Sequence, residues 1–157
     1  MFFPPAVTTI SPSSVLAMDG DADRGARVLT VKGAVCLTCH QAAGQGRAFG
    51  PALGGLAKKR SKAELLESIL NPSALVEPAY AGYTLEARSG AASVGLLIER
   101  SADAVKVRDL NLAEVTVSNE ELKALTALPV SLMPAGLAAA FTEQELADLL
   151  AFLQTLE

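Results

Sequence analysis

Cys36-Leu37-Thr38-Cys39-His40 gathers both cysteines and the only histidine of a 157-residue chain into five consecutive positions. A structural disulfide would account for the two thiols and leave His40 without a role. A thioredoxin-like redox pair opens a helix after a strand in a βαβ setting, and no such alternation surrounds this segment. Structural zinc needs four Cys or His ligands, and three packed this closely in sequence cannot enclose the ion. The spacing does fit covalent attachment of a c-type haem. Two thiols two residues apart form thioethers with two vinyl groups, and the adjacent imidazole binds the iron. Cys36, Cys39 and His40 are therefore the expected attachment and ligand residues.

Outward from this anchor, the pattern is helical at both ends of the chain and strand-like between. Asp19, Asp21 and Asp23 precede Ala22, Ala26, Val28 and Leu29, as suits a helix whose N-terminal dipole favours carboxylates; this helix would deliver Cys36. Ser61 and Glu64 have capping-box spacing before Leu65, Leu66, Ile69 and Leu70, and Asn71-Pro72 ends that helix. From Ala79 to Val117 the period changes to two. Tyr83, Leu85 and Ala87 alternate with Thr84, Glu86 and Arg88, and Val105 and Val107 alternate with Lys106 and Arg108, which predicts three or four short antiparallel strands turning at Ser89-Gly90 and Ser101-Ala102-Asp103. Ser118 to Glu121 reads as a further capping box, introducing a helix through Leu122, Leu125 and Leu128. A third box, Thr142 to Glu145, opens a C-terminal helix with Leu146, Leu149, Leu150, Leu153 and Leu156 on one stripe and Asp148 off it.

Composition narrows the function classes. The length suits one domain with a real core. Aromatic residues make up only 4% and Trp is absent, which leaves room for a large non-protein hydrophobe in the centre. A net charge of −4, with no basic cluster beyond Lys58-Lys59-Arg60, argues against a nucleic-acid partner. No apolar run approaches the roughly 18 to 20 residues of a membrane span; Val130 to Phe141 is broken by Ser131, Pro134 and Gly136 and reads as a buried loop leading to a helix. Met1 to Ala17 is rich in Pro, Ser and Thr, predicting an extended arm or linker over 1–18. The first 23 residues carry no Lys or Arg and so show no export signal. Because haem is joined to paired cysteines outside the cytoplasm, the expected location is periplasmic or otherwise exported, with the chain processed or part of a longer exported protein.

A second axial histidine does not exist, so the sixth iron position falls to Met, to another side chain, or stays open. Met133 is the choice among the methionines. It stands in the irregular stretch Ser131-Leu132-Met133-Pro134 before the last helix, where Pro134 keeps the backbone extended, whereas Met1 and Met18 lie in the arm.

Three motifs in this order, the Cys-x-x-Cys-His pentapeptide, Gly50-Pro51-Ala52-Leu53, and Met133-Pro134 before a terminal helix, resemble class I cytochrome c. More narrowly, Ile69 to Ser73, Tyr80 to Tyr83, the strand-rich stretch and Ser131 to Leu137 resemble the haem-binding domain that ends large dehydrogenase-like proteins of planctomycetes and verrucomicrobia. That resemblance covers about 21–156. It implies a mainly α, cytochrome c-like domain over 19–157 with a small antiparallel β insertion at about 79–117. It also implies one haem c, thioethers at Cys36 and Cys39, and axial ligation by His40 and Met133. A hydrogen bond from the His40 ring to the Pro51 carbonyl, Leu53 and Ile69 against the ring, and Arg60 near a propionate complete the implied site. The implied activity is single-electron transfer, not catalysis, from a dehydrogenase partner or fused domain to another cytochrome or an oxidase. The competing expectation is a haem c enzyme or gas sensor with an open or labile sixth position; peroxide chemistry would need a distal acid or base, and no distal histidine exists. The strand insertion reads as a lid over one haem edge or as a docking surface, and the sequence does not choose.

Overall fold

Two of the three capping boxes start helices. In the computed structural model, which describes residues 9–157, Ser61 caps α4 (Lys62–Leu70) and Thr142 caps α5 (Glu143–Leu153), each with reciprocal bonds to the glutamate three residues on. Asp21 caps α2 (Ala22–Val31) through the backbone N–H of Arg24. A separate short helix, α3 (Ala34–Leu37), carries Cys36. The arm expected over 1–18 is not extended where it is described: α1 (Pro12–Ala17) is helical. Ser11 and Pro12 are a cap and first-turn pair, and Val15, fully buried, packs with Leu146 and Leu150. Glu143 accepts hydrogen bonds from Ser11 N (2.7 Å) and Ser14 Oγ (2.6 Å), tying α1 to α5. Residues 1–8 of that arm lie outside the described residues.

The frame of the helical part is the crossing of α2 over α5. A Cβ added at Gly25 would stand 2.0 Å from the Asp148 carbonyl oxygen, so the backbones touch there and only glycine fits. Beside it, Arg24 donates from Nε to Asp148 Oδ2 (2.8 Å) and from Nη2 to Oδ1 (2.9 Å). Asp21 N and Gln144 Nε2 add two more donors. Asp148, expected off the apolar stripe, is therefore only 2% exposed and faces α2. The Arg24 guanidinium, helped by the Asp21 and Gln144 donors, lowers its carboxyl to about 2 against the opposing effect of burial.

A mainly α fold is not what forms: helix accounts for 34% of the described residues and strand for 23%. Five strands make one antiparallel sheet in the order β6-β5-β4-β3-β7, comprising β3 (Gly82–Ala87), β4 (Ala92–Arg100), β5 (Ala104–Arg108), β6 (Glu114–Ser118) and β7 (Leu122–Ala127). The helix expected after Ser118 is β7 instead. Leu122 and Leu125 fit either a helix face or one side of a bulged strand, and pairing with β3 (Thr84 with Thr126, Leu85 with Leu125) decides in favour of the strand. The two outermost strands, β6 and β7, are joined by only 119–121. Five strands laid flat would set them about 19 Å apart, beyond the roughly 14 Å that three linking residues reach, so the sheet curls toward a barrel. Leu85, Ala87, Val105, Val107 and Val117 fill the concave side as a core separate from the helical one.

The first and last strands of the sheet pair with each other, so the chain enters and leaves the insertion at one place. Tyr80, just before β3, and Ser131, just after β7, are brought together by the pairing of Tyr83 with Ala127 and the bond from Leu128 N to Gly82 O (2.8 Å).

Two predictions concern the α2 and α5 crossing. Gly25→Ala, which in an open helix would stabilise by about 1 kcal/mol, should here cost about 2–3 kcal/mol in chemical denaturation through overpacking. Asp148 binds its proton more weakly in the folded than in the unfolded chain. Its contribution, about 2 kcal/mol, is thus complete above the ordinary carboxylate pKa of 3.8 and is lost as pH falls from about 4 toward 2. Acid unfolding of Asp148→Asn should show a flatter dependence on pH through that window.

Candidate functional site

The backbone around His40 is closed by its own hydrogen bonds before any side chain contributes. Cys36 O accepts from Cys39 N (3.1 Å) and His40 N (2.8 Å), and Cys39 O accepts from Phe49 N (3.1 Å) and Gly50 N (2.6 Å). The return from His40 to Phe49 is a tight hairpin, β1 (Gln41–Ala42) and β2 (Gln45–Gly46), with Ala43 and Gly44 both at positive φ as a type I′ turn requires. It brings Pro51 under the imidazole, where His40 Nδ1 lies 2.6 Å from Pro51 O. A carbonyl can only accept, so Nδ1 carries the proton and Nε2 presents its lone pair. Gly50 lies against the ring: a Cβ there would be 2.7 Å from His40 Cε1 and 3.0 Å from Nδ1.

This imidazole opens on a cavity of about 470 Å3, walled by Leu29 of α2, Leu65 and Ile69 of α4, and Leu149 and Leu153 of α5, with Phe141 and Leu137 from the approach to α5. Cys36, His40, Pro51, Leu53, Arg60, Ile69 and Met133, all expected from the sequence, line it; Cys39, half-buried, does not. Lining residues with no assigned role in the sequence reading include Lys59, Ser68, Leu75, Glu77, Tyr80 and Ser131. Asn71-Pro72 marks the end of a helix but says nothing of which residues after it turn inward. Arg60 Nη2 donates to Glu77 Oε1 (2.7 Å) and Nη1 to Ser68 Oγ (3.3 Å), which fixes the guanidinium at the cavity. The Arg60 and Glu77 partnership spans 17 residues and leaves no local signal.

Both thiols are free. Burial, with a smaller contribution from neighbouring Cys39, pushes the Cys36 thiol above its ordinary value. A redox-active or nucleophilic cysteine requires the opposite shift. Among the described residues no group of three or more His, Cys, Asp and Glu is placed to hold a bare metal ion. What is present fits a haem: two unpaired thiols in one turn of chain, an imidazole with Nε2 unprotonated and its orientation set by Pro51, and largely apolar walls about a space of the right class for a cofactor. Among the described residues no helix is long and apolar enough to cross a membrane.

No curated protein matches the chain. The family model described as Cytochrome c matches residues 22–127, from the first residue of α2 to the last of β7, ending before Met133. Since that span is more than half of the chain, the protein belongs to the cytochrome c family and carries covalently bound haem c, with its iron, for electron transfer.

Proposed function

We propose that residues 19–157 form a relay for single electrons in which Cys36 and Cys39 bear the thioethers and His40 and Met133 are the axial ligands. The observation that carries this reading is the shared cavity: His40, oriented by Pro51, and the Met133 segment, 93 residues later in sequence, line the same space. When bound, haem c supplies an iron that passes between ferrous and ferric states by one electron.

The residues of the chain serve that exchange by holding still. Pro51 O retains the Nδ1 proton of His40, so the imidazole keeps one tautomer and one orientation and is a better donor through Nε2. Leu53 and Ile69 keep water from the site, and a thioether opposite an imidazole in apolar surroundings favours the reduced state and raises the potential. Arg60, steadied by Glu77 and Ser68, is the cation for a propionate. Redox proteins are the partners. The resemblance to the terminal haem-binding domain of dehydrogenase-like proteins supports a dehydrogenase as donor, fused or separate, another cytochrome or an oxidase as acceptor, and an exported, periplasmic location.

Two measurements test the ligand set. The ferric holoprotein should show the weak methionine-to-iron absorption band at the red end of the spectrum, and Met133→Ala should abolish it and let the reduced protein bind carbon monoxide readily. A band that survives the substitution removes Met133 from the iron. Gly50→Ala should force the contact of residue 50 with the His40 ring apart and lower holoprotein stability by about 1–3 kcal/mol in denaturant, with the haem still covalently attached after acid extraction. An unchanged midpoint would mean that the close contact of Gly50 with His40 is not retained in the holoprotein.

A further inference from the structure

No residue of the five-stranded sheet lines the cavity, although Tyr80 and Ser131, on either side of it in sequence, do. Its attachment is informative. Met133 N donates to Ser131 Oγ (3.1 Å), and Ser131 N donates to Ser73 Oγ (2.9 Å) across 58 residues. Leu132, between those two residues, fills the place of a side chain at Gly82, the first residue of β3: a Cβ there would meet Leu132 Cγ at 2.8 Å and Leu128 Cδ1 at 2.9 Å. Leu128 in turn continues β7 by donating from N to Gly82 O (2.8 Å). The segment from Leu128 to Met133 is thus gripped on one side by the root of the sheet and on the other by the loop after α4.

We infer that Ser73 and the Gly82–Leu132 contact are positioning residues for Met133, and that the pairing of β3 with β7 is the device that holds this axial segment against the iron. The inference rests on Met133 being the axial ligand. The chain before Met133 leaves β7 and has no helix of its own from 128 to 136, so its conformation is set by these few contacts. Loosening any of them raises the fraction of molecules in which the thioether is off the iron. Carbon monoxide reads that fraction, because a ligand that needs the open state binds with an apparent affinity scaled by the open population.

The test compares reduced holoprotein variants by carbon monoxide titration, together with the ferric methionine-to-iron band. Ser73→Ala removes one hydrogen bond from an exposed side chain and should raise apparent carbon monoxide affinity about fivefold, the effect of one such bond. Ser73→Thr, which keeps the hydroxyl, should restore wild-type affinity. Gly82→Ala, which displaces Leu132, should raise the affinity further and weaken the band, with haem content unchanged. The inference is overturned if Met133→Ala raises carbon monoxide affinity while Ser73→Ala and Gly82→Ala both match the wild type. If Met133→Ala itself leaves affinity and band unchanged, the axial assignment fails and this inference falls with it.

Discussion

The contact of α2 with α5 at Gly25 is the constraint on which the rest of the molecule depends. Two helix backbones at touching distance leave no latitude in their crossing, and both contribute walls to the cavity, Leu29 from one and Leu149 and Leu153 from the other. The Arg24 and Asp148 pair fixes the rotation of α2 about its own axis as well as its distance, because two parallel N–H donors must meet two carboxylate oxygens. Once α2 is set, the short step through Gly33 to α3 carries Cys36 to the cavity. The chain beyond His40 has only a hairpin's length in which to turn back and bring Pro51 beneath the ring.

A second core could have disturbed that frame, and the topology shows why it does not. The sheet curls on itself and buries Leu85, Val105 and Val107 among its own strands, so it draws no apolar surface from the helices. Its outer members β6 and β7 are consecutive in sequence, and β7 closes back on β3 where the insertion began. An element of this kind can be placed between two segments of a cavity wall while their separation stays that of one strand pair. The cost falls on the segment that follows it, which enters the cavity wall from a strand rather than from a helix and depends on that strand for its position.

Much of this was legible from residues that act locally. The two glutamate-closed caps at Ser61 and Thr142, the alternation at Tyr83 to Ala87 and Val105 to Val107, the turns at Ser89-Gly90 and Ser101 to Asp103, and the thiol and imidazole cluster all depend on spacing alone. What sequence did not disclose is decided by partners far along the chain. Leu122 to Ala127 becomes a strand because β3 offers an unpaired edge, although Ser118 and Glu121 have the spacing of a cap. Asp148 turns inward because Arg24, 124 residues earlier, meets it. The mainly α reading failed because the sheet is larger than a small insertion: four strands already fall in the stretch of visible alternation, and pairing with β3 adds a fifth past Val117. In the site, Leu53 and Ile69 came from motif resemblance, Tyr80 and Ser131 lay within its motifs without a role, and Glu77 reaches the cavity through a loop whose course no periodicity encodes.

Arg60, Ser68, Glu77 and Ser131, four of the polar residues around the cavity, are held in hydrogen bonds that suit electron movement better than proton chemistry. A general acid or base must be able to exchange a proton with a reacting group. Arg60 and Glu77 satisfy each other at 2.7 Å, Ser68 Oγ donates to Glu64 O while accepting from Arg60, and Ser131 Oγ accepts the Met133 N–H. The single imidazole is committed through Nδ1 to Pro51. Glu77 and Ser131 tie down loops 71–80 and 128–136, which border the cavity on its least helical side. Rigidity there is what an electron relay requires, since each transfer is slowed by whatever the surroundings must rearrange. The bonds that fix these side chains also hold the Met133 segment beside the cavity, so the rigidity of this wall and the position of that segment have one structural origin.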